Sequence, residues 1–156
     1  MKSGKYVAKQ KQFQFKAYQK LSKLENALKY LKKENSLIFQ VSILGKLNQF
    51  CYDKDIESSK DIIIKSYWKD RLVKTINFGT YYNLESGSFF IAGPLATTFL
   101  HKINGKYLAT FSSGPYGIFR GLGVGKTDAS RYLRMLNNGS YLLIIRGSAT
   151  EIDRIS

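Results

Sequence analysis

The run Tyr141-Leu142-Leu143-Ile144-Ile145 holds five apolar residues without a break. A strand of that kind lies buried in its sheet, so the chain must be built around a packed β-layer. Just upstream, Ala129, Tyr132, Leu133 and Leu136 recur at the i, i+3, i+4, i+7 spacing of one helix face. Thr127 suits the N-cap, Asp128 the positive helix end, and Gly139 the left-handed stop. The spacing therefore predicts a helix feeding a buried strand.

The first third shows a similar unit. Lys5 to Phe15 alternates loosely and reads as a first strand. Ser22-Lys23-Leu24-Glu25 has the form of a capping box. The helix it opens runs to about Glu34, with Leu21, Leu24, Ala27, Leu28 and Leu31 on one face, and Asn35-Ser36 ends it. Leu37 to Leu44 is the next strand, with Phe39, Val41 and Ile43 on one side and Ile38 and Leu44 on the other. Residues 46–61 read as a polar loop, and Asp61 to Phe78 as two β-like runs around Trp68. Ser88 to Ala92 is a short strand, and Gly93-Pro94 fits a helix start. A glycine-rich apolar segment from Gly105 to Gly125 follows. The order β-α-β, insertion, β-α-β predicts an α+β fold. Its expected form is a ferredoxin-like split βαβ sheet with two helices on one face. Residues 1–156 form one domain in this reading, and the insertion between the halves covers about 46–88.

Composition narrows the function classes. A hydrophobic fraction of 44% with 10 Phe and 11 Tyr is too apolar for disorder. One Cys cannot make an intrachain disulfide, and one His with one Cys gives too few soft ligands for structural zinc. No cofactor or metal is expected. No stretch reaches the eighteen or so apolar residues of a spanning helix, and residues 1–33, with ten Lys and one acid, lack the apolar core of a secretory signal. A cytoplasmic protein is expected, with membrane-peripheral association open because basic patches bind anionic lipid.

Net charge is +14, which points to acidic partners without naming one. In the first third Phe13, Phe15 and Tyr18 lie among Lys9, Lys11, Lys16 and Lys20. Aromatics on a basic sheet can stack bases, which makes those four lysines a candidate polyanion site. The same pattern also describes core aromatics beside solvated lysines, and no RNP1 signature is present. Gly121-Leu-Gly123-Val-Gly125-Lys126-Thr127 resembles a phosphate loop, but Arg120 stands where its first glycine belongs. A turn between helices is the simpler reading. Asp53, Asp55 and Glu57 lack the Gly and Glu of a calcium loop, whose places hold Ser58 and Ile64. His101 has no catalytic partner in any motif, and Cys51 reads as a half-buried thiol. No catalytic residue is assigned.

Four stretches of the second half carry a resemblance: Phe90-Ile-Ala-Gly-Pro-Leu-Ala96, Gly121-Leu-Gly-Val124, Asp128-Ala-Ser-Arg-Tyr132 and Leu136-Asn-Asn-Gly-Ser-Tyr-Leu-Leu-Ile-Ile145. They resemble the bacterial general-stress-protein-like family, also described as heat- or low-temperature-induced stress protein and as a domain of unknown function. The likeness spans roughly 20–148, with 46–88 poorly matched. Gly125-Lys126 stands where that family commonly has Pro-Glu, and Arg131 and Arg134 replace acids in its helix. The resemblance supplies no catalytic residues. It implies a non-enzymatic, stress-associated binding or scaffold protein that self-associates as a homo-oligomer or docks on another protein, with no small-molecule substrate. Phe89, Leu95, Phe99, Phe111, Tyr116 and Phe119 are then the candidate interaction surface. Sequence-non-specific nucleic-acid binding and membrane-surface association are the alternatives.

Overall fold

The computed structural model describes residues 11–33, 40–57, 61–72, 77–111 and 113–155. The fold is α+β, around a five-stranded sheet ordered β1-β7-β2-β4-β3. Its strands are β1 (Lys11–Tyr18), β2 (Gln40–Lys46), β3 (Phe78–Asn83), β4 (Gly87–Ala92) and β7 (Tyr141–Ser148). Every neighbouring pair is antiparallel; Phe15 faces Ile144, Ile43 faces Leu143, and Leu44 faces Ile91. A two-stranded hairpin, β5 (Lys102–Ile103) and β6 (Lys106–Tyr107), stands apart. It turns on Asn104 and Gly105, both at positive φ, as a tight Asn-Gly turn requires.

Tyr141 to Ile145 is buried throughout, so the strand expected to be buried is buried, and it lies second in the sheet beside the middle strand β2. Period-2 alternation then divides its side chains between two cores. Tyr141, Leu143 and Ile145 join Ile43 and Phe90 under α1 (Leu21–Lys33), α2 (Leu47–Asp53) and α3 (Asp61–Arg71). Leu142 and Ile144 join Leu44, Phe89 and Ile91 under α4 (Ala96–Phe99), α5 (Gly114–Gly121) and α6 (Lys126–Asn137). The sheet is thus covered on both faces, not on one as the ferredoxin-like reading expects.

The cause is topological. β1 and β2 run the same way with β7 between them, and β4 and β7 run the same way with β2 between them. Two crossovers of one hand would place their helices on the same face. With α1 and α6 on opposite faces, the two crossovers have opposite hands, against the usual right-handed preference. Sequence reasoning that assumes that preference stacks both helices together. The apolar residues on both sides of β2, β4 and β7 need two covers, and the long 93–140 connection supplies the second.

The described elements within residues 46–88 contribute to the core and to the sheet. The expected loop contains α2, which buries Leu47 and Phe50 three positions apart. The expected strand Ile62-Ile63-Ile64 is the start of α3, where Ile64 and Trp68, four apart, are fully buried while Ile62 and Ile63 stay exposed. Helical packing of that pair outweighs the β-preference of the isoleucine run. β3 forms a hairpin with β4, closed by Asn83 Oδ1, which accepts from the backbone N–H groups of Glu85 and Ser86.

The capping box is elsewhere than expected. Helix α1 begins at Leu21, which puts Ser22 inside the first turn. The reciprocal box forms at Ser148-Ala-Thr-Glu151: Ser148 Oγ accepts from the Glu151 N–H at 3.2 Å, and Glu151 Oε1 accepts from the Ser148 N–H at 2.8 Å. It opens α7 (Ala149–Ile155), which returns Ile155 to the first core.

Candidate functional site

Of the candidate polyanion lysines, Lys9 lies outside the described residues. Lys11 pairs with Glu151 at 3.5 Å. Lys11 and Lys16 sit at odd and even positions of β1 and so point to opposite faces, while Lys20 lies in the turn before α1. The structure does not gather Lys11, Lys16 and Lys20 into one patch. Phe15 is core, in contact with Phe119 and Tyr132 rings at 5.2 and 5.1 Å between centroids.

The candidate interaction surface is corrected more sharply. Phe89, Leu95, Phe99 and Phe119 are buried members of the second core. Phe89 lies on β4, and Leu95, Phe99 and Phe119 lie on the elements that cover it, so they build the interior and present no surface. Tyr116 and Phe111 are half-buried.

Phe111 does lie on a feature of interest. A cleft of about 670 Å³ opens beside α5, walled by Ile103, Leu108, Phe111, Ile118 and Leu122. Gly117 and Gly121, one helical turn apart, form part of its lining, and a Cβ at either would meet nothing within 4 Å. Pro115 sits in the first turn of α5, and the buried Ile118 and Phe119 fix that helix to the sheet. The residues around the cleft include Thr98 and Ser113 but no titratable side chain.

A smaller recess of about 280 Å³ adjoins it, with Thr98 and Leu122 lining both. Ile144 and Arg146 of β7 and Ser42 of β2 contribute to it, with Pro94 and Leu95 opposite. Gly93 permits that close wall: it has φ +112°, and a Cβ there would meet Ser42 Cα at 2.8 Å. Ser42 Oγ accepts from the Leu95 N–H at 3.0 Å. Arg146 donates to Gln40 Oε1 at 3.2 Å, and its guanidinium carbon lies 5.9 Å from the Phe13 ring centroid.

On the opposite face a polar network joins α1 to α3. The Tyr67 hydroxyl donates to Glu25 Oε2, with Lys54 Nζ at 3.4 Å and Arg71 Nε at 3.5 Å from the same oxygen. Arg71 stacks 3.6 Å from the Tyr67 ring centroid. Burial pushes the Glu25 carboxyl up, but the Tyr67 hydrogen bond and the two cations outweigh it and hold the carboxyl below its ordinary range. Burial, then the bond to Glu25, raises the Tyr67 phenol. Glu25 is thus a tertiary anchor and not the capping partner of Ser22. Lys29, Lys32, Lys54 and Arg71 share a recess of about 530 Å³ with Glu25 and Asp70. Nearby, the Tyr141 hydroxyl donates to Asp53 Oδ2 at 2.6 Å, and burial and then this bond raise its pKa.

The phosphate-loop-like segment is a turn between helices. Gly121 ends α5, Gly123 has φ +98°, Gly125 is the N-cap of α6, and Arg120 donates back to the Val124 carbonyl at 3.3 Å. Thr127, the expected N-cap, therefore lies within the helix. His101 is exposed and Cys51 half-buried. Among the described residues no three His, Cys, Asp or Glu side chains come together as metal ligands, and no helix is long and apolar enough to cross a membrane. No family model, curated protein or solved structure matches this chain.

Proposed function

We propose that this chain is a non-enzymatic binding protein, stress-associated by its resemblance, that holds a partner instead of transforming one. The α5 cleft is its binding element. The observation carrying this reading is the composition of the cleft lining: an open, mostly apolar recess of about 670 Å³ with small residues toward its opening and no titratable group around it. Such a site can desolvate an apolar group of another protein or a second copy of this chain, but it offers no side chain to move a proton.

Titration with the neutral dye Nile red tests this. Gly117→Trp sets an indole on the cleft lining, at a position whose Cβ has nothing within 4 Å. Saturable one-to-one dye uptake by the wild type, with loss of about tenfold or more in Gly117→Trp, is expected. Equal uptake by both proteins places binding elsewhere. A second reading, sequence-non-specific nucleic-acid binding, is favoured by the Lys29, Lys32, Lys54 and Arg71 recess. It requires that Lys29→Gln with Lys32→Gln flatten the salt dependence of RNA retention, because each lost phosphate contact releases fewer counterions.

A further inference from the structure

The apolar cleft and the smaller recess share Thr98 and Leu122 in their linings, and the chemistry changes from aliphatic in the first to cationic in the second. Among the described residues, Arg146 is the only charged one lining that recess. Its recorded contacts among the described residues are the neutral Gln40 amide and the Phe13 ring, with no carboxylate within ion-pair distance. A guanidinium carries five N–H donors in a planar fork, and one amide oxygen leaves most of them open. Thr98 adds a hydroxyl where the two spaces meet. We infer that the two recesses act together, across Thr98 and Leu122, to take an amphipathic acid: an unbranched acyl carboxylate whose head group sits on Arg146 and whose chain lies along Leu122, Ile118 and Leu108.

The argument rests on charge complementarity and shape. Arg146 is held on β7, an inner strand paired with β1 on one side and β2 on the other, so its backbone is anchored in the sheet instead of sitting on a loop. An arginine in a partly desolvated recess favours a carboxylate that can meet two N–H groups at once. Beyond it, the wider cleft offers aliphatic and aromatic walls and no second charge. A neutral chain would leave the guanidinium unmatched, and a short acid would leave the apolar walls wet. The two volumes, about 280 and 670 Å³, are of small-ligand size. This inference rests on the binding reading above and names the occupant of the same cleft.

Calorimetry with decanoate and with 1-decanol tests it, because the two share a chain and differ in head-group charge. Decanoate should bind the wild type at least about tenfold more tightly than decanol, the factor supplied by one charge-assisted hydrogen bond. Arg146→Gln should reduce decanoate to the decanol level and leave decanol unchanged, while Arg146→Lys should keep part of the preference. Gly117→Trp should weaken both ligands. The lysine variant keeps the test valid if the glutamine variant fails to fold. Equal binding of acid and alcohol, or a preference untouched in Arg146→Gln, overturns the carboxylate assignment while the cleft reading stands. Binding of neither ligand overturns the assignment too, and Nile red then decides separately whether the cleft binds anything. Binding of decanoate that Gly117→Trp leaves intact also overturns it, by moving the acid out of the cleft.

Discussion

Tyr81 carries a buried hydroxyl with no hydrogen-bond partner among the described residues, and burial raises its pKa. Its ring stacks on Phe89 at 5.3 Å between centroids, so the ring belongs to the core and the oxygen is a cost. Tyr81→Phe should stabilise the fold by roughly 1 kcal/mol in urea unfolding, the lower end of the penalty for an unsatisfied buried polar group; a loss of stability would mean that the hydroxyl has a partner. Glu25 shows the opposite case, a carboxylate well supplied with donors. Because its folded pKa is depressed, its contribution to stability is complete above the ordinary glutamate range and is lost as pH falls through the folded value. Unfolding midpoints measured between about pH 6 and 3 should therefore fall less steeply in Glu25→Gln than in the wild type. Parallel curves would remove Glu25 from the acid response. The Glu25 network was not legible in the sequence, where Ser22 three residues earlier gave a local partner. Tyr67, the group that captures the carboxylate, is 42 residues away.

At the scale of elements, the long periodic pieces were legible and the short mixed ones were not. Helix α1 follows its expected face, with Leu21, Leu24, Leu28 and Leu31 buried. Helix α6 follows its own less fully: Ala129 and Leu136 are buried, whereas Leu133 is only half-buried against the second core. Leu28→Ala should accordingly cost about 2–5 kcal/mol, and Leu133→Ala clearly less. Equal costs in denaturant titrations would show that α6 faces the sheet differently. Helices α2 and α3 escaped the sequence because each buries only two residues, Leu47 with Phe50 and Ile64 with Trp68, while Cys51 and Tyr67 beside them are only partly buried against the core. Two contacts at i+3 or i+4 do not make a period, and the β-branched run at Ile62 argues for a strand. The Ser148-to-Glu151 box is a local signal that could have been found, since S-x-x-E is as clear there as at Ser22. The apolar run before it drew the eye to the strand alone.

For the whole molecule, β7 was legible as a buried strand, but its consequence for layering was not. Five consecutive buried residues on alternating sides require cover on two faces. Four of the residues expected to form an interaction surface, Phe89, Leu95, Phe99 and Phe119, are buried in the interior instead. The cleft arises from what they leave open: α5 stands on Ile118 and Phe119, turns Gly117 and Gly121 toward solvent, and faces the hairpin that ends in Tyr107. None of this follows from spacing, because Ile103 and Leu122 meet around the cleft only through the path of the 93–140 connection. The account's central claim is that binding belongs to this face and not to the helical layer opposite, where Tyr30, Tyr52, Ile62 and Ile63 are exposed. Methyl-labelled NMR spectra recorded during a Nile red titration test it most directly. The account predicts shifts confined to Ile103, Leu108, Ile118 and Leu122, with Ile62, Ile63 and Leu28 unmoved; shifts centred on Ile62 and Ile63, with the α5 methyls silent, would contradict it.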